Sequence, residues 1–409
     1  MNIGIILPEI GGFSSLSIEF QKWYRIIESL GHEIFIITGK SRAVLKNLTV
    51  MNELYHENNY NLLFSSKLFD ITDEDRDVIS SFENISNRIQ TIIETWASSN
   101  SLDLLIVENF FSVPSNLPVT YALYNFLQSF PCKKIVKHHD AFYRNNVKKL
   151  TNSSFIQKIF VSCFPLDMEN TVHISSNRII KSYLKEKCHV DSIIIPYVMS
   201  ANQVNYWKNP ERLELSDEFV CLSSDKVLIH FSDLLPSSKL ENVFELLLKI
   251  NDDDFKVVSI VRKHKEYSDY YDYLVKKIND SGLNKRFILI PEDEIALARR
   301  FSIDDLFSFS RGSLCLEAGV GFGQPIHMGI QNKCSLLFCT ESQIDWLELS
   351  DLGCKVIYIS QDLNDQDITQ INHFLNQENN WGEENFKLMR QYYSVSFLKY
   401  LINNLFMRI

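Results

Sequence analysis

Glycine is scarce in this chain. There are 13 glycines in 409 residues, about 3% against a usual share of roughly 7%. Five fall at Gly4, Gly11, Gly12, Gly31 and Gly39, and five more at Gly312, Gly319, Gly321, Gly323 and Gly329, with none between Gly39 and Gly282. A chain this sparing keeps glycine where the backbone requires it, so the two clusters mark the places to look for a site. Paired cysteines are also missing. The eight cysteines stand at 132, 163, 188, 221, 315, 334, 339 and 354, and none shows the two-residue spacing of a zinc or redox motif. That pattern fits a reduced, cytoplasmic protein. No run approaches the eighteen or so apolar residues of a membrane span. The opening Met1–Gly12 segment lacks a basic start and carries Glu9 within its apolar run, so it reads as a strand and not as a signal peptide. Excess positive charge is absent too: 41 Lys+Arg against 51 Asp+Glu gives a formal net charge of −10. A protein built to grip nucleic acid needs a basic face, so nucleic acid is excluded as the main partner.

What is present is an ordinary apolar content of 45%, enough for sizeable cores, arranged in an alternating series. Ile3 to Leu7 is a short apolar run of strand type. A turn at Gly11-Gly12 follows, and Ser14 or Ser15 caps a helix with Leu16, Phe20, Trp23, Ile26, Ile27 and Leu30 on its apolar stripe. Gly31 stops that helix, and Ile34 to Thr38 is a second strand. Strand, glycine turn, helix and strand make a βαβ unit and a parallel sheet. Further strands are expected at 102–107, 134–137, 159–163, 172–175 and 193–195, and helices at 117–130 and 177–187. The polar stretch 199–224 reads as a link. A second series then gives strands at 227–231, 256–261, 286–290, 335–339 and 355–359, helices at 240–250 and 267–278, and one long amphipathic helix over 384–409. Two such series predict two doubly wound domains. Ligands of open parallel sheets sit at the carboxyl ends of the strands, which selects the 8–13, 138–143 and 312–324 segments.

Gly11-Gly12 opens a helix whose first N–H groups suit an anion; a tight turn with no ligand accounts for the pair equally well. His138-His139-Asp140 closes a strand and enters a loop with Phe142, Tyr143 and Arg144. A titratable base, a carboxylate, aromatic faces and a guanidinium within seven residues form the mixture a sugar or phosphate pocket uses. Neighbouring residues of a strand point to opposite faces, so one of the two histidines is expected to turn inward, and a metal held by all three is not expected. Gly319, Gly321 and Gly323 alternate between Glu317 and His327; ligand contact through open backbone N–H groups is the favoured reading, with a structural turn at a strand end as the alternative.

These segments resemble the retaining GT-B glycosyltransferases of family 4, and among them the subset with a double-histidine HHDFYWER segment. The Gly11-Gly12 turn, Glu19 with Lys22-Trp23, and Leu30-Gly31-His32-Glu33 follow the family's N-terminal pattern. Glu108-Asn109 with Asn116-Leu117-Pro118 resembles its ENxxxxPxNLP segment, and His138 to Arg144 its double-histidine motif. Pro196-Tyr197-Val198-Met199 stands where the family has Pro-Asn-Val-Met, and Tyr392-Tyr393-Ser394 resembles the start of its last helix. The resemblance implies an α/β GT-B fold with a Rossmann-like acceptor-side domain over 1–198. It implies a Rossmann-like nucleotide-sugar-side domain over 199–388 and a terminal helix, 389–409, that returns to the first domain. It implies hexosyl transfer from a nucleotide sugar to a hydroxyl of a small molecule, glycan or lipid-linked acceptor, with retention, without metal or cofactor. It leaves room for peripheral contact with the inner face of a membrane and for a protein partner.

The site residues that follow from the resemblance are His139 and Asp140 on the reacting-sugar side. Gly11, Gly12, Lys239, Glu317, Gly321, Phe322, Gly323 and His327 follow on the substrate and donor side. The donor motifs depart from the family. Asp233 and Ser238 stand where an arginine and a lysine hold the diphosphate; Lys239 takes the lysine's place if one residue is inserted. Of two glutamates flanking the Gly-Phe-Gly, Glu317 replaces the first if the loop is longer, and nothing acidic replaces the second. Arg262, Lys263 and Arg311 are further cations for the diphosphate. The departures leave a second expectation standing: a catalytically inactive GT-B homologue that serves as a partner subunit or glycan-binding module.

Overall fold

Branched and apolar residues in uninterrupted runs form two parallel sheets in the computed structural model. It describes residues 1–11, 14–56, 58, 61, 67–140, 151–199, 212–214, 219–222, 224–238, 240–250, 252–263, 268–291, 306–307, 309–315, 324–339, 349, 351–360, 363–376 and 380–409. The chain divides into two compact units, Met1–Pro196 with Ser396–Ile409, and Tyr197–Val395.

In the first unit the strands are β1 (Asn2–Ile10), β2 (Glu33–Ser41), β3 (Leu48–Val50), β4 (Leu104–Glu108), β5 (Lys133–His138), β6 (Thr171–Ser175) and β7 (Ile193–Ile194). They lie in the order β3-β2-β1-β4-β5-β6-β7, and every pairing is parallel. The order reverses between β1 and β4, the switch point at which doubly wound sheets bind ligands. β4 is buried along its whole length, as a central parallel strand covered on both faces must be. Gly39 on β2 is forced by close approach: a Cβ there would lie 2.1 Å from the Tyr55 backbone nitrogen.

Helices enter this sheet through side-chain caps that satisfy their first N–H groups. Ser14 Oγ accepts from Ser17 N–H ahead of Ser15–Ser29, and the Asn116 side chain caps Leu117–Ser129. Asn177 caps Arg178–Cys188 in the same way. One face is packed by Phe82, Ile89, Ile93 and Trp96 together with Leu123, Phe126, Phe160 and Phe164. The first four belong to a helix, Arg76–Ser99, that the sequence pattern does not announce. Its buried residues form a narrow stripe diluted by polar neighbours on three sides.

Two expectations are corrected here. Ile159–Cys163 is the second half of a helix, Ser154–Cys163, capped by Ser153. A five-residue apolar run has no decisive period, and Ile156, Ile159, Phe160 and Cys163 share one helical face. The terminal segment is two helices, Trp381–Tyr392 and Val395–Arg408. The break falls at Tyr393, whose carbonyl accepts from the Met199 N–H at 2.8 Å.

In the second unit β8 (Arg212–Glu214) and β9 (Val220–Leu222) form an antiparallel pair inside the stretch read as a link. The main sheet comprises β10 (Lys226–Asp233), β11 (Phe255–Arg262), β12 (Phe287–Pro291), β13 (Ser310–Cys315), β14 (Ser335–Cys339) and β15 (Val356–Ile359). Its order, β12-β11-β10-β13-β14-β15, repeats the switch of the first sheet. Val243, Phe244 and Leu247 of helix Glu241–Lys249 pack with Val257 and Val261 on one face. No helix among the described residues is long and apolar enough to cross a membrane.

Candidate functional site

The chemistry of the first unit collects at the carboxyl edge of β4 and β5. Parallel pairing sets Glu108, the last residue of β4, in register with Lys137 on β5. The Lys137 ammonium donates to Glu108 Oε1 at 2.6 Å, and His139 Nε2 meets Glu108 Oε2 at 2.7 Å. All three side chains are more than nine-tenths buried. Helix Ser15–Ser29 adds the fourth member: Lys137 Nζ lies 3.9 Å from the centroid of the Trp23 ring, within cation–π range. The turn before Trp23 carries a second buried ion pair, Glu19 with Lys22.

Protonation follows from this geometry. Burial opposes the Glu108 charge, but the Lys137 ammonium and the His139 ring outweigh it and hold the carboxyl below its ordinary range. An ionised carboxylate only accepts hydrogen bonds. The proton between the two groups therefore sits on His139 Nε2, which donates to Glu108. This is how a carboxylate fixes the tautomer of a histidine general base.

Asn109 organises the next turn. It takes a left-handed conformation, φ +63°, a region asparagine tolerates better than most residues. Its N–H donates to the Lys137 carbonyl. Its side-chain oxygen accepts from the His139 N–H at 3.2 Å, and its amide donates to Asp140 Oδ2 at 3.1 Å. His139 and Asp140 are thus brought together through Asn109, with Asp140 exposed to solvent. His138 turns the other way, as strand alternation requires. Its Nδ1 bonds Ser112 Oγ at 3.1 Å and its Nε2 bonds His173 Nδ1 at 3.0 Å. Burial, with the neighbouring His173 and His139 rings, pushes His138 well below the usual histidine range. Burial lowers His173 to about 4, against the opposing pull of Asp167.

Gly11 follows β1, the strand beside β4. Its φ is +79°, and a Cβ would lie 2.8 Å from the Ala43 backbone nitrogen, so the turn itself demands glycine there. Gly12, Lys239, Glu317, Gly321, Phe322 and Gly323, and the Ala141–Arg144 part of the double-histidine segment, lie outside the described residues. His327 is 1% exposed and sits in the second unit between two aromatic rings, 6.1 Å from Tyr197 and 5.8 Å from Tyr393 by centroid. At the carboxyl end of β10, Asp233 is in register with Arg262 of β11, so the neighbouring strand supplies an arginine at the level where the resemblance places one. Arg311 is the second residue of β13 and therefore lies at the opposite end of the sheet, which removes it from the cations available there. Sequence reasoning did not give Lys137 and Trp23 a place in the site. The available signal was a charged residue closing an apolar run, at Glu108 and again at Lys137.

No protein-family model matches the chain. It is 20% identical over 376 residues to a mannosylglucosylglycerate synthase of Petrotoga mobilis, covering 87% of this chain and 86% of that protein. A mannosylglucosylglycerate synthase of Thermotoga maritima is 24% identical over 203 residues, 49% of this chain and 45% of that one. Among solved structures, the sucrose-phosphate synthase of Thermosynechococcus elongatus superposes with a TM-score of 0.67 at 10% identity, covering 100% of this chain and 98% of the other. HepE of Anabaena, in complex with UDP and glucose, superposes at 0.62 with 12% identity over the full length of both. With its two parallel sheets of like topology, the chain has the GT-B fold of the glycosyltransferase structures it resembles.

Proposed function

We propose that the protein is a hexosyltransferase that moves a sugar from a nucleotide sugar to a hydroxyl of a small, glycan or lipid-linked acceptor, with retention and without a metal. The observation that carries this reading is the buried Glu108–Lys137–His139 cluster at the carboxyl edge of the first sheet of a GT-B chain. His139, held through Nε2 by Glu108, lies on the side of the reacting sugar or acceptor hydroxyl. Asp140, held by Asn109, accepts a second hydroxyl. The nucleotide falls to the second unit. The resemblance assigns the phosphates to the Gly319–Gly323 segment and Lys239, which lie outside the described residues, and Arg262 stands at the carboxyl end of β11. A leaving diphosphate is stabilised by such donors, each worth on the order of 3 kcal/mol at the transition state. The names of the two sequence relatives make a mannosyl donor with glucosylglycerate the first pair to assay, and the UDP and glucose held by HepE make UDP-glucose the second. The scattered cysteine positions, without a paired spacing, favour a cytoplasmic setting.

One observation favours a second reading. Asp233 and Ser238 occupy the positions at which the resemblance places the diphosphate-holding cations, and an aspartate beside a diphosphate is repelled. An inactive homologue that binds glycans or serves as a partner subunit has no need of those cations. Incubation of the pure protein with GDP-mannose, UDP-glucose and related donors, with calorimetry and product detection, separates the two. Turnover that is lost in His139→Ala supports the enzyme; a folded protein that neither binds nor hydrolyses any nucleotide sugar supports the homologue.

A further inference from the structure

Beneath the proposed site lies a second polar chain, Ser112–His138–His173, that the reaction itself does not touch. Ser112, His138 and His173 are 3%, 1% and 6% exposed. The two rings are nearly parallel, 20° apart with centroids at 5.3 Å. The chain spans three elements: the loop after β4, the end of β5 and the body of β6. Burying three polar groups in an apolar layer is costly unless each is bonded. Here both nitrogens of His138 are used.

We propose that His138 is a positioning residue for His139, and that Ser112 and His173 hold it in place. The two histidines are consecutive, so the peptide between them is shared. Fixing the His138 ring on one side of β5 fixes the direction in which the His139 ring leaves the other side, toward Glu108. The His138 carbonyl is also taken, by the Ser176 N–H at 3.2 Å, and the His139 N–H by Asn109. The peptide is therefore held at both ends. One proton lies between His138 Nε2 and His173 Nδ1. If His138 donates it, Nδ1 accepts from the Ser112 hydroxyl; if His173 donates it, His138 Nδ1–H donates to Ser112 Oγ. Both arrangements keep His138 singly protonated and doubly bonded, so the chain tolerates a proton shift without releasing the ring. A buried network that is fully bonded specifies one geometry and loses that property when one member goes.

The proposal rests on the glycosyltransferase reading for its kinetic consequence, but its structural core is measurable without any substrate. The experiment is imidazole nitrogen NMR of the full-length protein. It compares wild type with His173→Leu, which removes the partner of Nε2, and with His173→Asn, whose amide reaches the place of the lost Nδ1. Ser112→Ala perturbs the other end with a smaller change. In wild type the His139 ring shows a single Nε2–H tautomer. His173→Leu and Ser112→Ala are expected to turn this into a mixture of tautomers, and His173→Asn to restore the single form. With a nucleotide sugar that is turned over, kcat falls on the order of 10²-fold in His173→Leu, as for a small misplacement of a reacting group, while KM stays near the wild-type value. A folded His173→Leu protein with the wild-type His139 spectrum overturns the proposal. If His173→Leu does not fold, an unchanged His139 spectrum in Ser112→Ala overturns it instead. A wild-type protein that turns over no nucleotide sugar defeats the functional reading and leaves the spectra to decide the positioning role.

Discussion

Replacing Glu108 by glutamine removes the charge that joins Lys137 and His139. The cost follows from what remains. Lys137 keeps 5% side-chain exposure, so its ammonium stays out of water, beside the Trp23 ring and a neutral amide in place of a carboxylate. A cation–π contact offsets about 0.5–2 kcal/mol, whereas breaking one side of a buried ion pair costs about 3–5 kcal/mol. The Glu108→Gln variant is therefore expected to lose about 3 kcal/mol in the first unit. Replacing Lys137 by methionine as well removes the stranded cation, so the double variant is expected to be more stable than Glu108→Gln alone. The assay is urea unfolding followed by a probe in the first unit, since a two-unit chain need not unfold in one step. At a slope of roughly 2 kcal/mol per molar, 3 kcal/mol moves the midpoint by about 1.5 M. A shift below about 0.3 M, or a double variant less stable than the single one, would refute the reasoning that the charge of Lys137 is buried and depends on Glu108.

Three further outcomes follow. His173 is neutral in the folded protein, with its value lowered to about 4, and the unfolded chain binds a proton near 6.5. Stability is therefore complete above pH 6.5 and falls as pH drops from 6.5 toward 4, at up to about 1.4 kcal/mol per pH unit. Stability measured across that window is expected to be flatter in His173→Asn, and an equal slope in both proteins contradicts it. Gly39→Ala drives a Cβ into the Tyr55 backbone, which cannot yield as a side chain tip would. A loss above about 2 kcal/mol is expected by thermal or chemical unfolding, and an unchanged melting temperature contradicts the close approach. Trp23→Leu removes the ring below Lys137 and is expected to weaken folding by about 2–4 kcal/mol from lost packing and cation–π contact together. Trp23→Phe is expected to recover part of that loss, and equal losses in the two variants contradict a role for the ring face.

The alternation of strands and helices was readable because buried parallel strands are runs of branched apolar residues, as in Ile3–Leu7 and Lys256–Val261. Ile159–Cys163 misled because five apolar residues fit a helix face and a strand equally well. Helix Arg76–Ser99 escaped notice because most of its surface is polar. His139 and Asp140 were legible as neighbours in one segment. Their surroundings were not, since the pairing of Glu108 with Lys137 depends on the order and register of β4 and β5, and Trp23 reaches Lys137 from a helix more than a hundred residues away in sequence. Gly11 was noticed for its scarcity, and its positive φ and the nearby Ala43 backbone give that choice a reason within the fold. His327, expected on the donor side, lies buried between Tyr197 and Tyr393.

The most direct test is a transfer assay with the pure full-length protein, GDP-mannose or UDP-glucose as donor and glucosylglycerate as acceptor, with the product examined by proton NMR at the anomeric position. The expected result is a new glycosidic linkage with the donor's anomeric configuration, formed by wild type and reduced at least about 10²-fold in a folded His139→Ala variant. Inverted product contradicts the retaining mechanism. Turnover in His139→Ala equal to wild type contradicts the placement of the reaction at the Glu108–Lys137–His139 cluster.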